Sequence, residues 1–495
     1  MLRRLPMALS RRRFLAGAGA LVGGSMLAGC GPEALAGLLG GTQMPADWPV
    51  VAGPIRHVLN RLSFGPQSDE LAHAAAIGID AWIEEQLAPE LIDDRGCELR
   101  LQQFDTPYLD ISLVNEIRPE NLHADLRAAT LIRAIYSRRQ FYEIMVDFWS
   151  DHFSIFLEKE RVGELKVIDD REVIRPYALG NFADLLWASM CSPAMLVSLD
   201  NQQNRAGKPN ENYARELLEL HTLGVDAGYS QDDVQAVARC LTGWTVDQDG
   251  LFRGTQRFEP ADHDDGPKHI FGRIIPGGGG ARDVEQLHAL LLEHPALPEF
   301  LARKLARRLL GQDPAPQLVA RAAAAFSAGG LEIKPLLRVL LESPEFAAAP
   351  RRFKRPLHLV AGALRQLGAE CDGGPAIQAT LAAMGQPLFG WSTPDGFPEH
   401  DAAWSNNLLP RWRFALELAR NGIKGVQIDL EALVAAADAT EMERWIGQLG
   451  KLLLGGPLPV PAAAQLIAAC GRSLDPEPAG LALAGLLSAP HYQWR

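Results

Sequence analysis

Residues 209–244 crowd Glu211, Arg215, Glu216, Glu219, His221, Asp226, Asp232 and Asp233 around a Gly turn, the chain's densest run of ionisable groups. A helix over 210–223, wound at about 100° per residue, puts Glu211, Asn212, Arg215, Glu216 and Glu219 on one face. Tyr213, Leu217, Leu218 and Leu220 fall on the other. Glu216 and Glu219, three residues apart, have the chemistry of a general acid and base or of oxygen ligands facing a cleft. The plainer reading is a solvated face on which Arg215 bridges Glu211 and Glu219, each exposed pair contributing about 0.2–0.5 kcal/mol. Asn210 and Asn212 open the helix and count as binding candidates. His221, on the apolar side, is a hydrogen-bonded core residue or a catalytic proton carrier. Gly224 predicts a C-cap, and Ser230 with Asp233 a capping box on a second helix.

Three other stretches carry chemistry. In FWSDHF, Asp147 and Asp151 share a helical face while His152 falls beside Phe148 and Ile155; the alternatives are a core histidine above a solvated acidic pair, or a ligand. In the turn HDDGPKH, His263, Asp264 and Lys268 crowd together, with the two former as metal-ligand candidates and Lys268, like Arg215, as an anion-holding group. The third is Asp395, His400 and Asp401 with Trp391 and Trp404. His, Asp and Glu suit a divalent ion such as Zn, Mn or Mg, but no HExxH, EF-hand or paired Glu-x-x-His spacing occurs, so a metal site requires assembly by the fold. No G-x-S-x-G nucleophile elbow is present, and the Gly runs lack a following Lys-Ser/Thr. Carboxylate pairs beside tryptophans suit acid/base chemistry on a glycan, the rings stacking on sugars.

The elements that must position these residues read as helices almost throughout from residue 55, with apolar positions recurring near every 3.6 residues. The expected class is all-α, a large bundle or helix-pair array, with one small β-hairpin or ordered loop at 244–260 around Asp249-Gly250. PGGGG at 276–280 is a flexible joint. The aromatic, Pro-rich stretch 385–404 is a long ordered loop of the kind that carries function. The expected organisation is a main domain over 55–422 with C-terminal helices over 423–495 packed on it. The basic run Arg351, Arg352, Lys354, Arg355 reads most simply as a solvated turn.

Composition sets outer limits. The 495 residues are 47% hydrophobic and 22% charged, with a formal charge of −12. The first 29 residues hold five Arg and no acid, so without them 43 bases face 60 acids. No basic cluster is interleaved with aromatics, which disfavours a nucleic-acid partner. Ser10-Arg11-Arg12-Arg13-Phe14-Leu15 fits a twin-arginine export signal, and the Gly-diluted apolar run behind it is too short to span a bilayer. Leu27-Ala28-Gly29-Cys30 fits a lipobox, predicting acylation of Cys30, a tether over 31–54 and a place on the periplasmic face of the envelope. The other five cysteines show no metal spacing.

Several strings, taken together and in order, resemble the bacterial family known only as domain of unknown function 1800: NENYARELLELHTLGVDAGYSQDDVQAVARCLTGW, FWSDHFSIF, IRPYALGNFADLL, PAMLVSLDN, HDDGPKHIFG and GQPLFGWSTPDGFP. The resemblance runs over about residues 53–422. It implies a shared envelope pathway with an exported, sulfatase-like protein, since genes of the two kinds often neighbour each other, but it implies no activity. The expectation is therefore an exported, lipid-anchored protein that is either an acid/base or metal-assisted hydrolase of an extracytoplasmic substrate such as a polysaccharide, or a non-catalytic binding or assembly lipoprotein.

Overall fold

The computed structural model describes residues 53–159, 161–250 and 253–495, so the twin-arginine motif, Cys30 and most of the tether lie outside the described residues. With 61% of the described residues helical, the expected all-α class holds. Many of the 34 prolines start helices instead of breaking them. Pro54, Pro356 and Pro476 each occupy a first turn, where the missing N–H would have no intrahelical partner.

The helices that carry or support the candidate residues are α1 (Pro54–Leu62), α2 (Gln140–His152), α3 (Glu211–Glu216), α4 (Gln231–Cys240), α5 (Ala296–Leu310), α6 (Pro356–Gln366), α7 (Leu409–Ala419), α8 (Met442–Leu454) and α9 (Pro476–Ser488). One apolar core runs from α1 to the C-terminal segment, and α9 packs along α7 and against α8 within it. Trp149 in α2 and Trp445 in α8 are fully buried, and each indole N–H is satisfied by a carbonyl, of Ala178 at 2.9 Å and Ala479 at 3.1 Å.

The hairpin expected around Asp249-Gly250 is present as β1 (Trp244–Val246) paired antiparallel with β2 (Gln256–Phe258). A second, β3 (Lys268–Ile270) with β4 (Arg273–Ile275), forms inside the HDDGPKHIFG region, which the sequence pattern leaves as a turn. Its own turn is Phe271-Gly272, both at positive φ, a conformation that the Phe masks in the sequence. A third pair, β5 (Glu370–Cys371) with β6 (Val426–Gln427), ties the start of the 423–495 region to the preceding helices.

The helix expected over 210–223 is only half α-helical. After α3 the chain widens into a π-helical turn over Leu217–Thr222, in which the Leu223 amide donates to Leu218 O at 2.9 Å. The extra residue per turn swings Glu219 off the line through Glu211 and Arg215. Arg215 accordingly meets Glu211 at 3.2 Å and Gln231 at 3.0 Å, and the expected double bridge to Glu219 does not form. The Ser230–Asp233 capping box on α4 is as expected.

The basic run at 351–355 is not a solvated turn. Arg351 is exposed, but Arg352, Lys354 and Arg355 are buried at 3%, 7% and 3% exposure.

Candidate functional site

Four segments converge at one end of the molecule: α2, α5, the start of α6, and the loop 385–404. Asp147 and Asp151, four apart on α2, share a face as the spacing requires, but they are not a solvated pair. Arg308 of α5 donates to Asp147 and, through Nη1 at 2.7 Å, to Glu399 Oε1; the same Nη1 lies 3.9 Å from Asp151 Oδ2. Asp151 and Glu399 thus face one guanidinium nitrogen from two sides. Arg355, at the N-terminus of α6, donates to Asp151 Oδ2 at 2.8 Å and stands 3.6 Å from Glu399. Arg352 completes the wall with bonds to the Arg308 carbonyl at 2.7 Å and to Glu399.

The loop is held over this wall by aromatics. Phe397 packs between Trp391 and Trp404, with ring centroids 5.1 and 5.9 Å away, and the Arg355 guanidinium lies 5.5 Å from the Trp404 ring. Trp404 is buried and donates to Pro398 O at 3.0 Å. Trp391 is half-buried at the rim and donates to Asp395 Oδ1 at 3.0 Å. Beneath the loop is a cavity of ≈ 40 Å³ lined by Asp147, Asp151, Glu143, Asp170, Arg175 and Trp391, among others. At about 10–15 Å³ per site it has room for a few waters.

The electrostatics divide the carboxyls. Burial pushes Asp151 up to about 6, the Asp147 charge adding to it while Arg355 and Arg308 pull it back. Glu399 is half-buried, yet Arg308, Arg355 and Arg352 hold it well below the usual carboxylate range. Lys304, one turn before Arg308 on α5, is lowered to about 8 by burial, against the opposing charges of Glu399, Asp151 and Asp395. Its ammonium donates to Leu220 O at 3.4 Å. Glu216 is raised by partial burial, by Glu219 and by Asp395, against the lowering charge of Arg215. Asp151, which lines the cavity, and Lys304, on which the Asp151 charge acts, therefore titrate on either side of neutrality, the condition for proton transfer in both directions near pH 7.

The expected metal set is not brought together. His152 donates through Nε2 to the His221 carbonyl at 3.0 Å, inside an aromatic cage of Trp149, Phe153 and Phe182. His221 is fully buried beside it, and burial lowers its ring to about 3, which makes it a neutral core residue and no proton carrier at pH 7. His263 is elsewhere, its Nδ1 donating to Thr242 O at 2.8 Å and its Nε2 3.3 Å from Asp283. Asp264 is gripped by Arg239 at 2.7 and 3.0 Å, which holds its carboxyl down at about 2. Lys268 is fully buried and donates to Asp283 and to the Asp264 carbonyl. The HDDGPKH turn is thus a closed ionic clasp between β3 and the helix beginning at Arg282. Among the described residues no three His, Cys, Asp or Glu side chains form a group able to hold a metal ion.

Asn210 and Asn212 are anchors for α3 and not a binding pair. The Asn210 side chain caps the Asn212 amide at 3.0 Å and donates to Asp200 O, while Asn212 donates to Leu199 O. Of the sequence candidates, Asp147, Asp151 and Trp391 line the cavity, while Asp395 accepts from Trp391 and Trp404 packs on Phe397 in the loop above it. Lys304, Arg308, Arg355 and Glu399 belong to no motif that marks them as site residues; Arg355 lies in the basic run and Glu399 in the loop, Lys304 and Arg308 carry no such signal, and partners of these residues lie 84 to 204 residues away.

No curated protein and no solved structure matches the chain. A family model matches residues 57–494, running beyond the limit at 422 that the motifs suggest and taking in the C-terminal helices. The chain belongs to the family described as "Protein of unknown function (DUF1800)".

Proposed function

We propose that the chain is an exported, lipid-anchored envelope protein in which Asp151 and Lys304 are the acid/base pair of a hydrolase acting on an extracytoplasmic polymer, in the first instance a polysaccharide. The observation that carries this reading is the opposed displacement of Asp151 upward and of Lys304 downward, the Asp151 charge acting on Lys304, with Asp151 and the half-buried Trp391 lining one cavity. The Asp151 carboxylate takes a proton from the attacking water, and the Lys304 ammonium gives one to the departing oxygen. Arg308 and Arg355 hold Asp151 in place against Glu399, and the Trp391 ring offers a face on which a sugar stacks. Because the expected ligands are committed to other partners, no metal enters this scheme.

The test is hydrolysis of envelope polysaccharides as a function of pH. The rate should follow a bell with limbs near 6 and 8; Asp151→Asn and Lys304→Met should each lower it at least about 100-fold without unfolding the chain. Cleavage that survives both substitutions would remove the acid/base assignment.

A second reading, a non-catalytic binding or assembly lipoprotein, is favoured by one observation: Asp147, Asp151 and Glu399 are all bonded to arginines, and the cavity below them is no larger than a few waters. An exported sulfatase-like protein is the partner to test for it. Wild-type protein that cleaves no polymer but co-purifies with such a partner, and loses it on substitution of Trp391 or Asp395, would decide for this reading. For the address, Arg11→Lys with Arg12→Lys should leave the precursor in the cytoplasm, and Cys30→Ser should abolish acylation.

A further inference from the structure

Several buried arginines in this fold carry carboxylates: Arg308 has Glu399, Arg175 has Glu143 and Asp170, Arg365 has Glu70. Arg61 and Arg411 are held instead by carbonyl and amide oxygens, of Pro350 and of Lys354 and Gln493. A third group has its cations gathered around open space. Where α1 meets the end of α8 and the C-terminal segment, a groove of ≈ 640 Å³ is lined by Arg56, His57, Arg351, Lys354, His491 and Arg495, and among the described residues no Asp or Glu side chain lines it.

Two of its cations are more than nine-tenths buried. Arg56 is 4% exposed; its Nη2 donates to Leu452 O at 2.8 Å while Nη1 has no partner among the described residues. Lys354 is 7% exposed, with its ammonium 3.3 Å from the centroid of the Tyr492 ring and in no ion pair among the described residues. Arg495 is taken up by carbonyls, of Asn60 at 3.1 Å and Ser63 at 3.3 Å, and its own backbone oxygen by the Arg352 amide. The acids on the wall behind are committed there: Glu399 to Arg308 and Arg352, and Asp401 to the Phe353 amide at 3.0 Å. The charges in the groove therefore repel one another, as the depression of Lys354 by burial and then by Arg56, Arg495 and Arg411 records.

Desolvated cations without a counter-ion cost several kcal/mol each, and a fold that keeps three basic side chains around an open groove leaves an anion's place free. The chain as a whole is acidic, so this is a local site and not one patch of a basic surface. Arg351, exposed at the rim, extends it outward.

We propose that the groove between Arg56, Lys354 and Arg495 binds a phosphate-bearing anion, either soluble phosphate or the headgroup of an anionic phospholipid. Guanidinium and ammonium donors set around one concavity match the oxygens of a phosphate. The headgroup source has a geometric argument: Gly53 and Pro54, where the tether from Cys30 joins the body, line the groove. An acyl anchor and a cationic site at the foot of the same tether are the two signals that together hold a protein on an anionic bilayer. That source rests on anchoring at Cys30; the anion site itself does not.

The experiment is thermal unfolding of the full chain with inorganic phosphate, with dihexanoyl phosphatidylglycerol, and with dihexanoyl phosphatidylcholine, against chloride at matched ionic strength. Phosphate should raise Tm in a concentration-dependent way. Equal stabilisation by phosphate and the glycerol lipid assigns the soluble ion; stronger stabilisation by the glycerol lipid, with the choline lipid inert, assigns the headgroup. Arg351→Glu, at an exposed position, and Lys354→Met, which removes an uncompensated buried charge and so leaves the ligand-free Tm equal or higher, should each weaken binding at least about tenfold. Phosphate and phosphatidylglycerol both leaving Tm at the chloride value, or both variants responding as wild type, would overturn the proposal.

Discussion

Gly396 rests on the backbone of Asp151: a Cβ at that glycine would lie 2.2 Å from the Asp151 carbonyl oxygen. The contact seats the loop 385–404 on the end of α2, and φ of +75° at Gly396 turns the chain so that Phe397 enters the aromatic stack and Glu399 reaches Arg308. Gly396→Ala should therefore cost about 2–3 kcal/mol from the left-handed backbone and the backbone clash together. Trp391 and Trp404 should report it: their fluorescence should shift to the red as the loop lifts, ahead of global unfolding. An alanine variant with wild-type Tm and emission would show that the loop is not seated by this contact.

Asp151 also makes stability depend on pH. Its folded carboxyl titrates near 6, above the ordinary 3.8, so the folded state holds the proton more tightly than the unfolded chain. The stabilisation is fully present below about pH 4 and is lost as pH rises through 6. Asp151→Asn should flatten the curve between pH 4 and 6 by on the order of 1–2 kcal/mol, measured by denaturant unfolding across that range. A variant that keeps the wild-type slope would place the titration on another group.

His221 acts with the opposite sign. Burial holds it neutral to about pH 3, whereas in the unfolded chain it takes a proton near 6.5. Stability is lost as pH falls below 6.5, about 2 kcal/mol by pH 5. In His221→Leu that loss should disappear, so the variant gains relative to wild type on going from about pH 7 to about pH 5. Were His221 a catalytic proton carrier, the same substitution would abolish hydrolysis and leave the pH dependence of stability unchanged.

The clasp of Lys268 and Asp283 is the fourth case. Lys268→Met leaves Asp283 buried beside His263 without its ammonium partner, and Asp283→Leu leaves the ammonium uncompensated. Each should cost about 3–5 kcal/mol, while the double variant Lys268→Met/Asp283→Leu should recover a large part of it. Equilibrium unfolding of the three variants measures the coupling. Additive losses would mean that the pair does not act as a unit.

Local patterns made much of this legible. The 3.6-residue period set the helical class because burying one face of a helix imposes that spacing on its own residues. Asp249-Gly250 marked the first hairpin, Ser230 with Asp233 marked the capping box, and the apolar neighbours of His221 marked its burial, all within a turn or two of chain. The family resemblance was carried by contiguous strings, and so was readable. The extent of the family match was not, since it runs through 423–495, where no such string stands out.

Tertiary structure alone decided the charges. Whether Arg355 is solvated or buried depends on Asp151, 204 residues away, and Arg308 meets Asp147 across 161 residues. The i,i+4 rule sees neither. The same rule paired Arg215 with Glu219, and a π-helical turn that no sequence period announces undid it. A charged side chain's environment is a sum over whatever the fold brings near, and only the folded chain has that sum. For that reason the sequence specified the helices and the loop, while the arginine-bound carboxylates around Asp151 and the unpaired cations around Lys354 became visible only in three dimensions.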